Sequence, residues 1–199
     1  MLYRHKRVVV DKLTVAVRQL ETAIQLWFRE EDPVSIHTLA WAAREILRVL
    51  HKSTGKKPNM PLGEQLTKLA RRKFDDRLAA SANFFKHSSK DSNAKHDFSP
   101  ELATILMLDA VNLVLDISKG NLTGWLVFYL TYLTTISPRR FNKQYLEFVQ
   151  KNIPADMLRQ RSRAEFFKKF CVHLPKGSPL PSFAIEVAFP DLGAAGDCD

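Results

Sequence analysis

Residues 9–52 read VVDKLTVAVRQLETAIQLWFREEDPVSIHTLAWAAREILRVLHK, and this stretch decides the fold. Leu13, Val17, Leu20, Ile24 and Trp27 recur at helical spacing, and Ala16, Ala23 and Phe28 widen the stripe. A first helix is therefore expected from about Val9 to Arg29. A second stripe of Ile36, Leu39, Ala40, Ala43, Ile46, Leu47 and Leu50 predicts a helix reaching about Lys52. Between them stands Glu30-Glu31-Asp32-Pro33. The Asp32 carboxylate can accept from the free N–H groups of a helix start, and proline suits a first turn whose N–H has no partner anyway. A link this short makes the two helices antiparallel neighbours.

Outward from this pair the pattern stays helical. Ser53 to Pro61 is a loop by composition. Leu62, Leu66 and Leu69 suggest a short helix, and Phe74, Leu78, Ala82 and Phe85 a second one ending near His87. Ser99-Pro100-Glu101 is a helix start with Ser99 as cap, and a helix over 100–118 follows with Leu102, Ile105, Leu106, Leu113 and Ile117 inward, stopped by Gly120. Leu122 to Ile136 is apolar nearly all round, which marks a central buried helix or a dimer face. Ser137-Pro138 breaks it, and helices are expected over Phe141–Asn152 and Pro154–Phe170. Beyond His173, Ile185, Val187 and Phe189 alternate with other residues, as in a short strand or docked extended segment.

The fold class expected is all-α. Residues 1–119 should form an antiparallel helical bundle, 120–171 a helical extension packed on it, and 172–199 an irregular tail rich in proline and glycine. A chain of 199 residues can bury one sizeable core, not comfortably two.

Charge is distributed unevenly. Residues 1–99 carry 19 basic and 11 acidic side chains, 100–138 carry 1 and 3, 139–176 carry 10 and 3, and 177–199 carry none and 4. Two basic regions thus flank a nearly uncharged segment, within a total of +9. Such a balance favours RNA or another polyanion as partner, or an anionic membrane surface near the basic N-terminus, unless the cations merely solvate helix faces. Cys171 and Cys198 lie far apart and form no CxxC, which fits a reducing, cytoplasmic setting. The basic start ends its apolar run at Asp11-Lys12, too early for a secretory leader. Leu122 to Ile136 falls short of the ~20 residues that span a bilayer, so no transmembrane segment is expected.

Two groups of polar residues could carry chemistry. The first is Asn83-Phe84-Phe85-Lys86-His87-Ser88-Ser89-Lys90-Asp91, running on to His96 and Asp97. Asn83 and His87 share a helix face, and Lys86 and Lys90 a neighbouring one. The lysines could hold a phosphodiester while the imidazole acts as acid or base near neutral pH. The alternative is a helix C-terminus, with His87 on backbone carbonyls and Lys86 and Lys90 answering the helix dipole. Metal binding by His87, Asp91, His96 and Asp97 is not expected, because Lys86, Lys90 and Lys95 would surround the cation.

The second group lies on the second helix, where His37, Trp41, Arg44, Arg48 and His51 run beside the core stripe. Buried there, they need partners, and Asp109 is the obvious one for an arginine. The choice is between a structural Arg–Asp pair and a polar cleft with Arg44 and His51 at its edge.

A bundle opening on two antiparallel helices, with Arg44 and His51 separated by six residues, resembles the HEPN superfamily and its Arg-x(4–6)-His pattern. The resemblance implies metal-independent RNA cleavage at a dimer interface by Arg44 and His51 in active members, and binding or antitoxin-like roles in inactive ones. His87 is a further candidate acid or base, and Asn83, Lys86, Lys90 and Arg48 are candidate polyanion ligands. No P-loop, GxSxG or dinucleotide fingerprint occurs, and with 7 glycines a backbone phosphate cradle is not expected, so no cofactor is called for. Two functions stay open: an RNA-engaging module that cleaves or only binds, and a non-catalytic scaffold that forms a homodimer or binds a helical protein through Trp125, Phe128, Tyr129 and Tyr132.

Overall fold

The computed structural model describes residues 9–56, 68–87, 93–141 and 143–171. The described residues form helices α1 Lys12–Phe28, α2 Pro33–Ser53, α3 Lys68–Lys86, α4 Leu102–Ile117, α5 Gly124–Ile136, α6 Lys143–Asn152, α7 Ala155–Arg159 and α8 Arg163–Phe170, with a single 3-10 turn at Pro138–Arg140. No β-strand occurs among them. The expected short strand over 185–189 and the 172–199 tail lie outside the described residues.

α1 starts later than Val9 because Asp11 caps it, accepting from the Thr14 N–H at 2.8 Å and the Thr14 hydroxyl at 2.7 Å. Asp32 caps α2 as the sequence suggests, accepting from the Ser35 N–H at 2.8 Å and the Val34 N–H at 3.3 Å. Hydrogen bonds from Thr14 and from Ser35 hold the Asp11 and Asp32 carboxyls below their usual range. The helix expected to end near His87 is α3, which already begins at Lys68 and so takes in Leu69; Leu62 and Leu66 of the other expected helix lie outside the described residues.

Ser99 does not cap α4. Its hydroxyl donates to the Glu101 carboxylate at 2.6 Å, and the helix opens with bonds from Leu102 N–H to Ser99 O and from Ala103 N–H to Pro100 O at 3.2 and 3.1 Å. The single helix expected over 154–170 is two. Gln160–Ser162 separates them because the Gln160 and Arg161 carbonyls accept from the Thr135 and Tyr132 hydroxyls of α5, at 3.2 and 2.8 Å, and Ser162 then caps α8.

Side-chain pairs fix the directions of the helices. Arg44 meets Asp109 and His51 meets Asp116, so α2 and α4 run parallel at a constant offset of 65 residues. His37 meets Phe85 while Arg44 meets Asp75, so α3 runs against α2. With α1 turned back on α2 by the short link at Arg29–Asp32, α1 to α4 form an up-down-up-down bundle.

α5 is buried within the chain, as the first of the two expected alternatives has it. Phe128, Tyr129 and Tyr132 are buried against Trp27 and Phe28 of α1 and Phe166 of α8, and Trp125 is half-buried with Phe167 stacked on it. Its buried threonine hydroxyls are satisfied within the helix, Thr131 on Val127 O at 2.9 Å and Thr134 on Thr131 O at 2.7 Å. One hydrophobic cluster runs from Ala16 to Phe170, across the expected boundary near residue 120. No helix of the described residues is long and apolar enough to cross a membrane.

Candidate functional site

The polar stripe of α2 points into the bundle. Arg44 is buried, its Nε donating to Asp109 Oδ2 at 2.5 Å, with Asp75 of α3 at 3.6 Å and Glu45 at 3.5 Å from its other nitrogens. Its guanidinium carbon also lies 5.6 Å from the Trp41 ring centroid. Burial pushes the Asp109 carboxyl up, against the pull of Arg44. Two turns along, His51 Nε2 lies 3.1 Å from Asp116 Oδ2, with both side chains about 95% sealed from solvent (4% and 5% exposed). Of the two alternatives, the structural Arg–Asp pair is the one present, and it belongs to a closed seam instead of a cleft with Arg44 and His51 at its edge. Its physical reason is the matched seven-residue spacing of Arg44/His51 and Asp109/Asp116 on parallel helices. Arg48 is exposed on the next face and pairs with Glu45 at 3.3 Å.

His37 begins the same stripe one heptad earlier. It is fully buried, edge-on to Phe85 and Phe98 with ring centroids at 5.7 and 5.2 Å, and neither ring nitrogen makes a well-formed hydrogen bond. Burial lowers its pKa to about 4, helped by the charges of His96 and Lys86 and only partly opposed by the nearby Leu78 carbonyl, so the ring is neutral at pH 7.

The other group sits at the far end of α3. Because His37 lies beside Phe85, His87 belongs to the His37 end of α2; Arg44 and His51 are roughly 10 and 20 Å further along at 1.5 Å per residue. The structure therefore does not bring His87 together with Arg44 and His51. Asn83, Lys86 and His87 are all exposed, and the His87 N–H closes the last turn on Asn83 O at 3.0 Å. Lys90 lies outside the described residues.

Beside them is a constellation that sequence reasoning missed. Segment 93–99 folds back along α3, and His96 Nε2 lies 2.9 Å from the hydroxyl of buried Ser81. The His96 ring stacks on Phe84 at 5.1 Å and 25°, and Phe84 is 40% exposed, which is unusual for a phenylalanine flanked by cations. Next to this pair a cleft of about 730 Å³ opens between α3, segment 93–99 and the first turn of α4. Arg77, Ser81, His96, Asp97 and Glu101 supply its polar groups, and Ala80, Phe98, Leu102 and Ile105 its apolar walls. The one signal in the sequence was the first phenylalanine of Phe84-Phe85, since Phe85 alone continues the core stripe and Phe84 must point elsewhere.

Compared with known proteins, the chain matches no family model, no curated protein and no solved structure. The site must be read from its own chemistry. It offers a flat aromatic surface, donors and cations suited to phosphates, and a hollow with apolar walls.

Proposed function

We propose that this chain is a HEPN-like helical module that engages RNA, or a polyanion of like chemistry, along the C-terminal half of α3 and segment 93–99. The observation that carries the reading is the stack of exposed Phe84 on half-buried His96, with Arg77 and Lys86 exposed on the same helix as Phe84 and exposed Lys95 next to His96 in the chain. A planar pair on a basic surface suits a single strand: bases stack on the ring, and cations follow the phosphates. The up-down-up-down bundle supports the HEPN-like architecture.

In this reading Arg44 and His51 hold the bundle together and the module binds without cleaving. Cleavage through them would require opening the buried Arg44–Asp109 ion pair and the buried His51–Asp116 hydrogen bond to admit a 2′-hydroxyl and its phosphate. Of the four residues proposed for the scaffold alternative, Phe128, Tyr129 and Tyr132 are buried within the chain and Trp125 is half-buried, which favours the α3 surface over that reading.

Fluorescence anisotropy with a labelled single-stranded RNA tests the proposal. Wild type should bind, Phe84→Ala and Lys86→Glu should each weaken binding by about tenfold, and His51→Ala and His87→Ala should leave RNA turnover equal to wild type. Unaltered affinity in both Phe84→Ala and Lys86→Glu would remove the α3 surface from the mechanism.

A further inference from the structure

We infer that the cleft between α3, segment 93–99 and the first turn of α4 is a nucleobase pocket that receives an unpaired guanine. The inference rests on the RNA-engaging reading and specifies what that surface selects.

The size of the cleft, about 730 Å³, falls in the range that encloses small planar ligands. Ala80, Phe98, Leu102 and Ile105 give it apolar walls for the faces of a base. Its charged lining is mixed: Arg77 stands with the carboxylates of Asp97 and Glu101. Lys86 on α3 and Lys95 on the segment add exposed cations outside that lining. A phosphate placed among those carboxylates would be repelled. The backbone is therefore expected to stay on the basic rim while a base turns inward.

The carboxylates also choose the base. A carboxylate only accepts hydrogen bonds. Guanine presents N1–H and the N2 amine side by side, two donors that fit the two oxygens of one carboxylate. Uracil offers N3–H between two carbonyls, which would leave carboxylate lone pairs facing acceptors. Glu101 is prepared for the task, since the Ser99 hydroxyl donates to one of its oxygens at 2.6 Å and keeps its carboxyl below the usual range. Ser81 and His96 close the other side, where the histidine ring already stacks on Phe84 and offers the neighbouring base a surface.

The test measures anisotropy with short oligouridylates, either unsubstituted or carrying one central guanosine, adenosine or inosine, the last lacking the N2 amine. The guanosine oligomer should bind about tenfold more tightly than oligouridylate, with inosine between them. Ala80→Trp, which fills the cleft from an exposed position, and Glu101→Gln should each reduce guanosine binding to the oligouridylate level and leave oligouridylate binding unchanged; circular dichroism checks that both variants fold. Equal binding of guanosine and uridine oligomers by wild type, a preference for adenosine, or a guanosine preference that survives Ala80→Trp overturns the pocket while the RNA-engaging reading stands. Failure of every oligomer to bind overturns both.

Discussion

Arg44 shows how a residue type that suggests catalysis becomes structural once its surroundings are known. Its charge is compensated by Asp109, with Asp75 close by, so three helices converge on one guanidinium. Arg44→Met leaves Asp109 buried without its cation and should cost about 3–5 kcal/mol in urea unfolding, whereas Arg44→Met combined with Asp109→Leu should recover most of that loss. A single variant as stable as wild type would sink the assignment. His37 makes a pH-dependent prediction. Its folded pKa of about 4 lies below the unfolded 6.5, so the folded state binds fewer protons in that window. The stability from burying the neutral ring is complete above pH 6.5 and lost as pH falls toward 4, with a limiting slope of about 1.4 kcal/mol per pH unit. Asp109, raised by burial, acts with the opposite sign, so the difference between wild type and His37→Leu across pH 4–6.5 isolates the imidazole. Equal slopes for the two proteins would refute the assignment.

At the scale of elements, the helix ends were the least legible part of the sequence. α1 and α4 both close in Schellman geometry, the Glu31 N–H bonding Leu26 O at 3.1 Å and the Gly120 N–H bonding Leu115 O at 2.9 Å. The left-handed positions are held by Glu30 at φ 58° and Lys119 at φ 54°, where glycine is the usual occupant. Gly120, which the sequence marks as the stop, comes one residue later at φ 93°. Glu30 has a reason to be there, because its carboxylate lies 3.4 Å from Arg163 of α8, whose guanidinium covers Trp27 at 4.5 Å. Lys119 is exposed, so Lys119→Gly should stabilise the fold by about 0.5–1 kcal/mol, read as a raised thermal midpoint. In the α5 seam, Phe128→Ala should destabilise by about 3–5 kcal/mol with no change in the mass measured by light scattering. Dissociation of an oligomer by that variant would restore the dimer-face reading.

For the whole molecule, the uneven charge sets how an RNA partner would be held. Binding that neutralises phosphates must weaken with salt, and each cation removed from the contact should flatten the log–log salt slope by about 0.7 for a single strand. Lys86→Gln should show that change, while Lys143→Gln on exposed α6, remote in sequence from the α3 surface, should leave the slope intact. A slope insensitive to Lys86 would mean that α3 carries no phosphate contact.

The sequence by itself determined the all-α class, the α1–α2 hairpin and its Asp32 cap, and the extent of the buried α5 helix. These follow from local periodicity and from caps that bond within a few residues. It also pointed to Asp109 as the partner of an α2 arginine, since a lone carboxylate in an apolar helix must find a cation. Only the tertiary structure decided that α2 and α4 run parallel, which closes Arg44 and His51 into a seam, and that His96 folds back onto Phe84 and Ser81. Those outcomes depend on contacts between residues 65 and 15 positions apart, and no local pattern of spacing encodes which distant side chain will arrive.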